Sequence, residues 1–275
     1  MNKRDSALSI DFISVFGLPP VQFIALAAEL ECRHISIGLT PMPTNPHRYP
    51  TWSLREDSAM RRATLSALHD SGVTITLGEG FLIRPGIDVR EAAADLDHML
   101  ELGVSIVNIL SLEPDRSRGL DQLAAFADLA GARRMRATLE FLPGLPIGDL
   151  TTAVAAVRAV ARPNFQLLLD AMHVFRSGAN VTEIAALDPA LIGYAQLCDV
   201  PRVSKAASYA DEARHERLPP GEGELPLLDF VALLPPDIVI GLEIPMLRRA
   251  ELGVSPHDRL APCVRDARDL LASRT

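Results

Sequence analysis

Lysine is nearly absent from this chain: Lys3 and Lys205 are the only two in 275 residues, while arginine is plentiful. Acidic residues number 35 against 27 basic ones, a net charge of −8. That balance excludes the phosphate neutralisation on which non-specific nucleic-acid binding depends, and it argues against an anionic membrane surface. Cysteine is scarce as well. Cys32, Cys198 and Cys263 are odd in number, widely spaced and free of any C-x-x-C pair. This excludes a thiolate zinc site and a disulfide framework, and it fits a reducing, cytoplasmic setting. No run of 18 apolar residues exists, so no segment reads as a membrane span. The opening "MNKRDSALSIDF" carries charges but lacks the apolar stretch of a secretion signal. The expectation is a soluble cytoplasmic protein with no nucleic-acid or membrane partner.

What the chain does contain is a rhythm. Short apolar, β-branched runs alternate with segments of helical period. The strand-like runs are 8–16, 34–39, 73–80, 105–110, 136–141, 165–170, 191–199 and 237–244. Helical patterns fill 19–32, 55–72, 88–103, 120–134, 149–161, 181–187, 226–234 and 256–272. Asp88 is placed to cap the third helix and Gly103 to stop it. The strands are continuous apolar runs, the pattern of parallel strands buried on both faces. Eight such units in one chain predict a single-domain (β/α)8 TIM barrel over 1–275. A doubly wound open sheet is the alternative, weakened by the lack of a G-x-G-x-x-G after the first strand. Two connections exceed the usual length, 40–54 and 200–225, and long loops in a compact domain are often lids or binding loops.

In a barrel of this type, chemistry sits at the C-terminal ends of the strands. The third strand ends near Glu79 and the fourth carries Asn108. The fifth ends on Glu140 and the sixth on Asp170, with His173 just beyond. The seventh carries Gln196 and ends at Asp199, and the eighth places Glu243. Glu140, Asp170 and Glu243 on neighbouring strands would repel one another unless a cation held them. With the Gln196 amide they form a hard, oxygen-rich set that suits Mg²⁺ or Mn²⁺ better than zinc. Trp52, the single tryptophan, lies in the long 40–54 loop and is either a cover for a substrate or a cap on the barrel.

The pieces "LEF" (139–141), "LLLDAMHVFRSG" (167–178), "AQLCDVP" (195–201), "ERLPPGEGELPL" (216–227) and "GLEIP" (241–245) resemble the xylose isomerase-like TIM barrel superfamily, the sugar phosphate isomerase/epimerase group. They lie in the order that family has on its last four strands. The resemblance implies one divalent cation, Mn²⁺ or Mg²⁺ with Co²⁺ as a further candidate, held by Glu140, Asp170, Gln196 and Glu243. Gln196 stands where the family usually has histidine, a departure shared with its 3-dehydroshikimate dehydratase members. The resemblance makes His173 and Arg217 substrate-binding groups, matches Glu222 to the acidic residue of the P-G-E-G turn, and makes Glu140 and Glu243 the proton-transfer pair. Glu79, Asn108 and Trp52 are expected to line the substrate site.

The implied activity is isomerisation or epimerisation of a small polyhydroxylated carbonyl compound. Dehydration of a 3-dehydroshikimate- or inosose-like compound is the alternative. The superfamily's DNA-cleaving branch uses a histidine-rich three-metal cluster, which this chain lacks at its strand ends. A barrel that only binds a metabolite is the remaining reading. Many barrels of this kind pair, so a homodimer is a further expectation.

Overall fold

The computed structural model describes residues 8–273. Eight strands close into a barrel in sequence order, every neighbouring pair parallel and β1 paired with β8. They are β1 (Leu8–Ile10), β2 (His34–Ile37), β3 (Thr74–Ile83), β4 (Ile106–Ser111), β5 (Arg136–Glu140), β6 (Phe165–Asp170), β7 (Ile192–Leu197) and β8 (Ile240–Leu242). Most positions of these runs are buried because the barrel interior covers one face and the helices cover the other. Leu139, Leu167, Leu169, Ala195 and Leu242 have no exposed surface.

The helices are α1 (Pro20–Glu29), α2 (Ser58–Ser71), α3 (Ala93–Glu101), α4 (Arg116–Ala132), α5 (Leu150–Val160), α6 (Ala171–Arg176), α7 (Val181–Ala185), α8 (Tyr209–His215), α9 (Leu227–Leu233), α10 (Leu247–Glu251) and α11 (Pro256–Ala272). Aspartates set several of their starts. Asp57, Asp115 and Asp149 accept backbone N–H bonds at the heads of α2, α4 and α5, each such cap contributing about 1 kcal/mol. No helix among the described residues is long and apolar enough to cross a membrane.

The eight-unit barrel predicted from sequence is the observed fold, with local differences. β1 stops at Ile10, and Phe12–Val15 turns into a 3-10 helix in place of a strand running to residue 16. Phe12, Ser14 and Val15 are all buried there, which is not the alternation of a strand. The predicted helix 88–103 divides into a 3-10 turn, Val89–Ala92, and α3. Asp88 caps the turn, accepting from Arg90 N at 3.0 Å. Helix α4 begins at Arg116, four residues early, because Asp115 caps it by accepting from Arg118 N at 2.9 Å. The 200–225 stretch, read as loop, contains α8.

Candidate active site at the C-terminal mouth of the barrel

Register brings the site together. Asp170 on β6 lies opposite Gln196 on β7, and Gln196 lies opposite Gly241 on β8. Glu140 at the end of β5 faces Leu168, and Glu243 follows β8 directly. Glu140, Asp170, His173, Gln196, Arg217 and Glu243 are all buried. Glu140, His173 and Glu243 each offer a ligand atom within 4.8 Å of the others. His173 Nε2 is 3.3 Å from Glu140 Oε1.

Asp170 stands beside this trio and is engaged on both oxygens. Its Oδ1 accepts from His173 N at 2.9 Å, capping α6, and lies 3.5 Å from His173 Nδ1. Its Oδ2 accepts from Arg217 Nη1 at 2.6 Å. The same Arg217 nitrogen donates to Glu243 Oε2 and to the Glu243 carbonyl, each at 3.0 Å. Burial alone would push the Asp170 carboxyl up. The Arg217 charge, with His173 and a Glu243 hydrogen bond, outweighs it and holds Asp170 down at about 2. At Glu243 burial wins over Arg217, and the carboxyl stays well above the usual range.

The turn from 218 to 225 delivers Arg217. Asp199 and Leu218 exchange backbone hydrogen bonds at 2.9 and 2.8 Å, extending β7 sideways. The Asp199 carboxylate accepts from the N–H groups of Val200, Gly221 and Leu225 at 2.9, 2.9 and 3.0 Å. A side chain at Gly223 would start 2.3 Å from Asp199 Oδ1, so only glycine lets the turn lie against that carboxylate. Arg217 Nε is held by the Ala213 carbonyl of α8 at 3.0 Å. Asp199 therefore orders the "PPGEGEL" turn.

Two neighbours complete the trio's surroundings. Thr138 Oγ1 donates to Asn108 Oδ1 at 3.1 Å, and Asn108 Nδ2 donates to Glu140 Oε2 at 2.6 Å, so Asn108 fixes the rotamer of Glu140. On the other side the Tyr209 hydroxyl meets His173 Nδ1. Sequence reasoning missed Tyr209 because α8 was read as loop.

A second group of polar residues lies across the barrel mouth. Asp11, just past β1, accepts from Tyr194 Oη at 3.0 Å and from Gln196 Nε2 at 2.9 Å. Burial pushes its carboxyl up to about 7, against the lowering effect of those two bonds. Glu79 on β3 accepts from Ser36 Oγ; burial first, then the Asp11 charge, pushes it up to about 8. Beside Glu79 a cavity of about 450 Å³ opens between Phe12, residues 38–43 and Arg55. Asp11 was missed because β1 was expected to run through it, although "LSID" has the same apolar-run-then-acid form as the strand ends that were recognised.

Trp52 is set behind Phe12, a residue of the cavity wall. It is buried, its Nε1 donating to the Gly17 carbonyl at 2.9 Å and its ring edge-on to Phe12 at 5.9 Å. It pins the long loop to the segment after β1.

Glu79 gives a pH signature. A carboxyl that folds with a raised pKa stabilises the fold at pH below its unfolded value, about 4.3. That contribution disappears as pH climbs through the folded value, here about 8. Metal-free protein is expected to lose stability between pH 5 and 9, and Glu79→Gln to lose less over the same range. Chemical unfolding at the two pH values measures the difference; parallel losses in both proteins would contradict the assignment.

The whole fold matches known proteins of one kind. Over most of its length the chain is similar to the IolI protein solved with a bound zinc atom, at TM-score 0.80 and 16% identity, covering 98% of this chain and 99% of that one. A structure described as the probable 3-DHS dehydratase AsbF from Bacillus anthracis gives TM-score 0.76 at 16% identity, with 98% and 99% covered. A D-psicose 3-epimerase solved in the presence of D-fructose gives 0.68 at 17% identity, with 97% of both chains covered. No curated protein matches the sequence. The model of the xylose isomerase-like TIM barrel family matches residues 24–254. With eight parallel strands closed in sequence order and buried carboxylates at their C-terminal ends, the chain belongs to the xylose isomerase-like TIM barrel family.

Proposed function

We propose that the chain is a divalent-metal-dependent isomerase or epimerase of a small polyhydroxylated carbonyl compound, acting by proton abstraction next to the carbonyl. The observation that carries this reading is the buried Glu140, His173 and Glu243 trio, whose ligand atoms lie within 4.8 Å of one another. Two buried carboxylates and an imidazole whose ligand atoms converge are a donor set suited to a divalent cation. The orphaned Gln196 Oε1, buried with no hydrogen-bond partner, adds a neutral oxygen of the kind a hard cation takes.

Glu140 and Glu243 would hold the ion with His173 Nε2. Asp170 and Tyr209 back His173 Nδ1 and fix which nitrogen faces inward. A bound divalent ion polarises a carbonyl oxygen as a Lewis acid and lowers the barrier to removing the adjacent proton. The protein's own part is proton transfer and orientation. Glu140 and Glu243 come from separate strands, so one can take the proton and the other return it. Return to the same carbon on its other face is epimerisation, and return to the neighbouring carbon is isomerisation. Asn108 keeps Glu140 aimed, and Arg217 does the same for Glu243. The cavity beside Glu79 has room for a small substrate, whose hydroxyls the raised Glu79 carboxyl can meet as a donor.

Gln196 favours a second reading, dehydration, because dehydratase members of the family resemble this chain there. In that reading His173 is the acid that protonates a departing hydroxyl, and Asp170 leaves Arg217 to hold the ion in its place.

Metal content of the purified protein, measured by mass spectrometry with His173→Ala and Asp170→Ala alongside, separates the readings. About one divalent ion per chain, lost in His173→Ala and kept in Asp170→Ala, follows from the trio. The reverse pattern supports Asp170 as ligand and frees His173 for acid chemistry. No ion, and no rise in Tm on adding Mn²⁺, would overturn the metal-dependent function altogether. Deuterium uptake from D₂O into ketoses, inososes or dehydroshikimate then identifies the substrate class.

A further inference from the structure

The structure assigns Asp11 as a positioning residue: it grips the amide nitrogen of Gln196 and thereby commits the amide oxygen to the ion site. The inference rests on the metal reading above and adds to it a residue from the end of β1, the strand next to β8.

Four observations carry it. Gln196 Nε2 donates to Asp11 Oδ2 at 2.9 Å, with both residues buried. Gln196 Oε1 is buried and has no partner among the described residues. Gln196 sits in register with Asp170 on one side and Gly241 on the other, so it projects on the same face of the sheet as Asp170. Finally, the Asp11 carboxylate is set against bare backbone: a side chain at Gly241 would begin 2.1 Å from Asp11 Oδ2. A close approach of this kind leaves the carboxylate little freedom to turn away.

A primary amide can present either edge, and the two are alike in shape. A neighbouring carboxylate removes that freedom, because turning the amide round would set its oxygen against Asp11 and strand the N–H groups. The oxygen is then the only edge available to a cation. Tyr194 completes the clamp by donating to the other Asp11 oxygen at 3.0 Å. Metal-bound histidines are oriented in the same way, by a carboxylate that accepts from the ring nitrogen not bound to the ion. Asp11 performs that task for an amide.

The test is Mn²⁺ titration calorimetry on metal-free protein, with thermal melts to confirm folding. Loss of an orienting partner typically weakens metal affinity about 10–100-fold, and that is the fall expected for Asp11→Leu. Tyr194→Phe leaves the grip on Gln196 in place and should change affinity far less. The decisive variant is the exchange Asp11→Asn with Gln196→Glu. The amide now donates from position 11 and the carboxylate accepts at 196, with a charged oxygen facing the ion, so affinity should recover to at least the wild-type value. If Asp11→Leu fails to fold, Asp11→Asn alone keeps the shape and loses the charge that forbids the flipped amide; its affinity should fall severalfold and be restored by the exchange. Wild-type affinity in the folded Asp11 variants would overturn the assignment while leaving the metal reading intact. A wild-type protein that binds no Mn²⁺ would overturn the metal reading first, and the assignment with it.

Discussion

Replacing Arg217 by methionine lowers the Tm by roughly 10 °C. The side chain is buried and one of its nitrogens serves Asp170 and Glu243 together. Removing one partner of a buried ion pair costs about 3–5 kcal/mol, because the remaining charge is left in a poorly solvating interior. In a domain of this size each kcal/mol shifts Tm by about 2–4 °C. The loss has a pH dependence of known sign. Asp170 has a depressed pKa of about 2 in the fold, so its contribution is present above the unfolded value, about 3.9, and vanishes as pH falls toward 2. The wild-type protein gives up that stabilisation in acid and the variant has none to lose, so the gap between the two curves narrows from about pH 4 down to about pH 2. Scanning calorimetry at pH 7 and pH 3 checks both statements; an equal gap at the two pH values would mean that Arg217 matters for packing and not for charge.

The largest effect on turnover is expected from Glu140→Gln and Glu243→Gln. General acid–base groups contribute about 10²–10⁴ in rate, and each variant should lose at least that much once a substrate is in hand. The fold should survive both changes. Glu243 already stays protonated well above the usual carboxylate range, and a glutamine oxygen still accepts from Arg217. Glutamine at 140 can likewise accept from Asn108 Nδ2 through its oxygen. Solvent deuterium exchange into the substrate distinguishes the two roles, since a variant that removes only the returning acid still abstracts the proton. Near-wild-type turnover in either protein would exclude proton abstraction by this pair.

The sequence made the barrel legible because parallel strands buried on both faces are continuous apolar runs, and eight of them recur between helical segments. It drew attention to Glu140, Asp170 and Glu243 for the related reason that a charge ending such a run needs an explanation, and to Gln196 as a polar side chain within one. It concealed what the charges pair with. Three converging carboxylates call for positive charge, but nothing in their spacing shows that Arg217, 47 residues beyond Asp170, already supplies part of it. Asp11 was hidden by a boundary. "FISVF" is apolar and β-branched enough to continue a strand, yet here it coils into a 3-10 turn with Phe12 and Val15 buried. Tyr209 was hidden by composition, since α8 lies in a polar stretch whose helix is set by the Ser208 cap and by the ion pair of Glu212 with Arg176.

The contact between Asp11 and Gln196 spans 185 residues of chain, and the nearby bond from Ile244 N to Ser14 Oγ spans 230. Both cross the seam where the first strand meets the last. During synthesis, residue 11 leaves the ribosome long before its partners on β7 and β8 are made. A nascent chain therefore carries Glu140 and Asp170 without a finished mouth around them. Assembly of the complete mouth therefore coincides with closure of the ring, when β8 takes its register against β1.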